Sequence, residues 1–198
     1  MTERIGEIIQ TGSFLFVAES FALNHPPALG SLLKVQTGPG EWTFGVVAYG
    51  ETVAVDPGRQ PVRRSKPDAY DDAVYAKHPE LEHLLRTVFT VVPVGCLEGG
   101  RMTQRLPAHP PPMHYSVYEC DPGEVLLFSE RLLYLRTLAA AQTKAPPEQV
   151  LAANLRWTYN ARGRDEKWLH RAAMEVAALL QQDVERLLGV LYAVDPEA

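Results

Sequence analysis

Apolar positions in the first fifty residues come in short runs of β-branched and aromatic residues, cut by glycine and proline. IGEIIQTGSFLFVAESF, starting at Ile5, predicts two strands around a turn at Thr11 to Ser13. Pro26, Pro27 and Gly30 punctuate the chain before a further strand in ALGSLLKV, and EWTFGVVAYG, Glu41 to Gly50, is the next apolar run. Strands this short, separated by turn residues, predict a small β-barrel or sandwich.

The middle of the chain is mixed. DPGRQPVRRSKPD, Asp56 to Asp68, predicts an exposed loop. DAYDDAVYAKHPELEHLLRTVF reads as a helix near 69–88, broken at Pro79, with Leu81, Leu84, Leu85 and Val88 on one face. TVVPVGCLEGG returns to strand and ends in a tight turn at Gly99 and Gly100. Pro110 to Pro112 cannot lie inside a central strand, so the last strand is expected to begin near Met113.

Beyond residue 128 the period becomes helical. Asp121, Pro122 and Glu124 form a capping-box start, and KAPPEQV restarts a helix near Pro146. Leu169, Ala173, Val176, Leu180, Val184, Leu187 and Leu191 recur at intervals of three and four. They predict one helix from about Asp165 to Ala193, roughly 40 Å long. A stripe that long needs a partner, either the preceding helices or another subunit. The expected class is therefore α+β: a small six-stranded barrel with an inserted helix over 1–128, then a helical appendage over 129–198.

At 198 residues the chain is long enough to bury a substantial core. Its net charge of −5 argues against nucleic-acid binding by bulk composition. Cys96 and Cys120 do not form a CxxC pair. With no secretory signal read at the start, they are expected to be reduced, buried thiols of a cytoplasmic protein. No apolar run approaches the ~18 residues that span a bilayer.

Several segments together resemble one family. RIGEIIQTGS from Arg4, LGSLLKV, FGVV, VVPVG and LPAHPPPMHYSVY, with EVLLF closing the set, follow the order of the HAS barrel. This is the N-terminal β-barrel of HerA-type hexameric ATPases, and it is similar in shape to the barrel that opens the ATP synthase α and β subunits. The resemblance covers about Arg4 to Phe128, through short apolar pieces whose order carries the signal. In that family the barrel precedes a RecA-like core, helps to form a ring and can dock a nuclease. This chain departs there. A P-loop needs GxxxxGK[ST], and the sequence contains no Gly-Lys dipeptide. The resemblance thus implies a stand-alone HAS-like barrel without its motor.

Candidate chemistry is sparse. His78 and His83, with Glu80 and Glu82, suggest a metal cluster, but histidines five apart lie about 140° from each other on a helix. His109 and His114 flank the rigid proline run. There is no G-x-S-x-G elbow, adjacent Asp71 and Asp72 do not face each other on a helix, and thiols in apolar strands are inert. No catalytic residue, metal ligand or cofactor is expected. Two basic groups stand out. Arg59, Arg63, Arg64 and Lys66 are phosphate or nucleic-acid candidates. Arg162, Arg164, Lys167 and Arg171, with Trp157, Tyr159 and Trp168, fit base stacking, a protein interface, or core with capping charges. Leu180 and Leu187 join them as interaction candidates on the long stripe.

The expectation is a non-catalytic interaction or assembly module that docks a protein partner or a second copy. The alternative is a DNA-processing accessory acting with a separately encoded HerA-type ATPase or nuclease. A weaker one is a small subunit or assembly factor of a membrane-bound energy complex.

Overall fold

A computed structural model describes residues 3–58 and 60–194. Among these residues seven strands are present: β1 Arg4–Gln10, β2 Phe16–Ser20, β3 Leu32–Gly38, β4 Glu41–Ala54, β5 Leu85–Glu98, β6 Arg101–Thr103 and β7 Ser116–Glu119. Every strand pairing is antiparallel, in the order β2-β1-β7-β3-β4-β5-β6, and β2 also pairs with β5. That last pairing closes a six-stranded barrel and leaves β6 as a flap on β5. Closure removes the exposed edges that an open sheet would present. The Thr11–Ser13 segment joins β1 to β2, and Gly99 and Gly100, both at positive φ, turn the β5–β6 hairpin.

Seven helices accompany the barrel: α1 Asp72–Lys77, α2 Leu81–Leu84, α3 Pro122–Ser129, α4 Tyr134–Ala139, α5 Pro147–Ala161, α6 Glu166–Leu179 and α7 Val184–Val194. None is long and apolar enough to cross a membrane. The capping box forms as expected. Glu124 N donates to Asp121 Oδ1 at 2.9 Å, and Asp121 N donates to Glu124 Oε2 at 2.8 Å.

Three expectations are corrected. The helix near 69–88 breaks around Pro79, as read, into α1 and α2, but it ends at Leu84 because Leu85 to Val88 pair with β4 residues Ala54 to Glu51. The β-branched run that follows Leu84 wins the segment for the sheet, and tertiary pairing overrides the helical spacing. The last barrel strand begins at Ser116, after a turn in which Tyr115 N donates to Pro112 O and His114 sits at φ 66°. The single helix from Asp165 to Ala193 is broken at Leu180–Asp183. There Asp183 starts α7 afresh by accepting from Arg186 N at 3.1 Å. The fold-back lets α7 pack on α5, so that Leu187 and Val190 join the core.

The molecule has two cores, and the barrel wall serves both. Ile8, Phe16, Val35, Phe89, Val91 and Val117 fill the barrel. Phe44, Val46, Val92 and Val94, on the outer face of β4 and β5, pack under Phe128, Leu151 and Trp168 of the helices. Lys34 pins the same junction. It is only 4 % exposed, pairs with Glu124 and lies 4.7 Å from the Trp42 ring centroid. Gly30, at φ 83°, brings the β2–β3 connection against the α5 backbone. Its carbonyl accepts from Asn154 Nδ2 at 2.8 Å, and Asn154 Oδ1 accepts from Tyr134 OH at 3.0 Å.

The α5–α7 contact carries an ion pair with a pH consequence. Arg186 Nε donates to Glu148, and Arg186 Nη2 donates to Ala139 O at 3.1 Å. Burial raises the Glu148 pKa, but the Arg186 hydrogen bond, a backbone hydrogen bond and the Arg186 charge together bring it below the ordinary 4.5. A depressed carboxylate pKa stabilises the fold above the unfolded value, and that contribution is lost as pH falls through the folded one. Urea unfolding at pH 7 and at successive values below 4.5 is expected to show wild type losing stability more steeply than Glu148→Gln.

Candidate functional site

Where the β4–β5 ribbon ends at Ala54 and Leu85, a cavity of about 680 Å³ is lined by residues of the following loop and of α1 and α2. Its size falls within the usual range of ligand pockets. Two residues further along the ribbon, Thr52 and Thr87 pair across β4 and β5 with their hydroxyl oxygens 2.8 Å apart. Asn24 N donates to Thr87 Oγ1 at 2.7 Å, and Asn24 Nδ2 donates to Tyr75 OH at the same distance. These bonds fix Tyr75 on the cavity wall. The remaining wall is mostly apolar, from Val55 and Val62 in the 55–65 loop and from Val74, Leu81 and Leu84 in α1 and α2.

The cavity's charged groups differ in how they are partnered. Arg64 Nη1 lies 3.5 Å from Glu80 Oε1, which also meets His78 Nδ1 at 3.0 Å. The Glu80 carboxyl is held below its usual range by its backbone hydrogen bond, then by His78 and, more weakly, by Arg64. Asp56 Oδ1 accepts from Gly58 N at 2.9 Å. Asp71 precedes α1 at φ 50° and ψ −130° and makes no side-chain cap. That is a backbone region rarely taken by L residues, and it borders the cavity.

The basic loop expected to meet phosphate is therefore one wall of this cavity, but only in part. Arg64 lines it, Arg63 is exposed outside the lining, and Lys66 closes a small backbone bridge with Ala69. Arg59 lies outside the described residues. His83 also lines the cavity, whereas His78 turns to Glu80. Among the described residues no three His, Cys, Asp or Glu side chains converge as a metal ion would require.

The second basic group forms a knot inside the protein. Trp168 is fully buried, and its Nε1 donates to Ser129 O at 2.8 Å. Arg162, its side chain 7 % exposed, lies 5.5 Å from the Trp168 ring centroid. Arg162 Nη1 donates to Leu126 O at 3.1 Å and to Ser129 Oγ at 2.9 Å, while Nη2 reaches Asp165 and Glu130. Arg171 pairs with the same Glu130 at 3.3 Å. Asp165 caps α6 by accepting from Trp168 N at 3.0 Å. That bond, with help from Arg162, keeps its carboxyl below the usual range. Trp157 and Tyr159 are half-buried against the core, and Tyr159 OH donates to Glu166. Arg164 is exposed at the α5–α6 turn, at φ 64°. Leu180 is buried and Leu187 half-buried, both on the inward side.

The stripe that the sequence ran through Val184 and Leu191 is corrected on α7, where both residues stay exposed. Val184, Leu188, Leu191 and Tyr192 fall at helical spacing and are exposed, Val184 to 63 % and Tyr192 to 61 %. The two cysteines stay clear of both regions. Cys96 is buried with its sulfur 3.2 Å from Thr103 Oγ1, and burial, followed by the Glu124 charge, pushes the Cys120 thiol pKa up.

No protein-family model and no curated protein matches this chain. Its barrel is a closed six-stranded antiparallel one with a seventh strand, as far as architecture alone defines it.

Proposed function

We propose that this chain is a non-catalytic docking module, a small barrel whose helical cap presents a surface for a protein. The observation that carries this reading is α7. It is apolar on two sides, with Leu187 and Val190 turned to the core and Val184, Leu188, Leu191 and Tyr192 turned to solvent. A contiguous exposed apolar strip of this kind marks a protein interaction surface. The closed six-stranded barrel is compatible with a HAS-like barrel, and the resemblance would make a HerA-type ATPase or nuclease the partner.

The accessory role in DNA processing has less support. Arg64, Arg162 and Arg171 already have carboxylate partners in Glu80, Asp165 and Glu130. A phosphate would have to displace those carboxylates, on a protein of net charge −5.

The test is a pair of exposed substitutions, Leu188→Glu with Tyr192→Lys. Sedimentation velocity over a concentration series and differential capture from the protein's own cells would be compared with wild type. The expected result is a self-associated species or a captured protein that disappears in the double variant, with the thermal unfolding midpoint within a few degrees of wild type. A monomeric wild type whose captured proteins are the same with and without the substitutions overturns the proposal.

A further inference from the structure

The cavity at the end of the β4–β5 ribbon is independent of the α7 surface, and its chemistry is more selective than its basic loop implies. Val62, on its wall, is 69 % exposed, and Val55, Tyr75 and Leu84 are also open to solvent. Covering such side chains with a hydrocarbon body is favourable by about 25 cal/mol per Å². An apolar ligand therefore gains most of its affinity here without any specific contact.

The charged groups decide what else that ligand should carry. Arg64, the cation on the wall, is already engaged by Glu80, which is also held by His78. An anionic ligand would have to break that contact. Asp71 has no ion pair and no capping bond among the described residues. Tyr75, on α1, lines the same cavity. A carboxylate and a tyrosine ring lining one cavity can together receive an organic cation, the carboxylate by charge and the ring through its quadrupole. The strained backbone at Asp71 fits a residue held in place for a role other than capping.

We propose that this cavity binds an amphipathic organic cation, an alkyl or aryl ammonium. Its apolar body would lie against Val55, Val62, Val74 and Leu84, and its charged head at Asp71 and Tyr75. The opposite reading, an anion at Arg64, is an outcome of the same experiment.

The test uses three probes of one length, octylammonium, octanol and octanoate, titrated calorimetrically into the full chain at neutral pH. The expected order of affinity is octylammonium, then octanol, then octanoate. Asp71→Asn should weaken octylammonium about three- to tenfold, the scale of a partly screened charge pair, and leave octanol unchanged. Val62→Arg changes an exposed rim residue, so it leaves folding intact. It should weaken octylammonium further and strengthen octanoate. Matching thermal unfolding midpoints would show that the variants remain folded. The proposal is overturned if no probe binds, if octanoate binds as tightly as octylammonium, or if Asp71→Asn leaves the ammonium preference intact. Octanoate binding that Arg64→Gln abolishes would move the site to the basic loop.

Discussion

Trp168→Ala is expected to lower the unfolding free energy by about 3–5 kcal/mol, the usual range for deleting a fully buried large aromatic side chain. The effect has three sources. The indole fills the space between α3 and α6, and its loss leaves a cavity that fixed helices cannot close. The Ser129 carbonyl loses the donor that Nε1 supplied at 2.8 Å. Arg162, nearly enclosed, loses the ring it lies against while keeping its bonds to Leu126 and Ser129. Urea unfolding followed by circular dichroism would measure the loss. Trp168→Phe separates the contributions, because it keeps most of the volume and removes the donor. It should destabilise by about 1–3 kcal/mol, the penalty of one unsatisfied buried acceptor. Equal loss in the two variants would show that the hydrogen bond, not the packing, dominates.

Gly30→Ala is the second large effect, about 3 kcal/mol or more. A Cβ at this position would fall on the α5 backbone, 2.7 Å from the Ala153 carbonyl oxygen. Residue 30 also sits at φ 83°, where a Cβ clashes with its own backbone. Relief requires the β2–β3 connection to lift from α5, which breaks the bond from Asn154 Nδ2 and leaves Asn154 and Tyr134 to share one hydrogen bond. Hydrogen exchange should show faster opening of α5 and of the first residues of β3, with β1 and β2 less affected. Uniform protection across α5 in the variant would argue that the junction has some other anchor.

These two positions also show what could be read before the structure was known. The barrel was legible, because short β-branched runs between glycine and proline have few other ways to bury one face. The capping box at Asp121 was legible because its signal is local. The helix near 69–88 was legible up to Leu84, and its last turn failed because a spacing of three and four over Leu81 to Val88 is short enough for β4 to overrule it. The long C-terminal stripe failed for a related reason. Periodicity continues smoothly through Leu180 to Val184, and only the need to cover Leu187 and Val190 makes Asp183 restart the helix. Trp168 and Arg162 were visible as a pair, but whether they faced a partner or the interior depended on Ser129, 39 residues before Trp168. The cavity left the faintest trace. Val55 and Val62 are apolar residues in a loop otherwise rich in charge, and only the pairing of Ala54 with Leu85 brings them opposite α1 and α2.

The shared barrel wall constrains how these strands could ever slide. Along β5, Phe89 and Val91 point into the barrel while Val92 and Val94 point to the helices, and on β4 Val47 faces in while Phe44 and Val46 face out. In a sheet with one wet face, slippage by a single residue strands an apolar set in water. Here both faces are dry, so a slip would leave hydrophobicity nearly unchanged, and composition alone cannot forbid it. Shape has to do so instead. Gly95 accepts the Phe128 ring at a spot where a Cβ would lie 2.6 Å from that ring, and the β4–β5 bulges between Phe44 and Gly45 and between Val47 and Tyr49 fix the offset. The alignment of the two longest strands thus rests on steric keys, and a substitution at Gly95 would act on registration before it acted on stability.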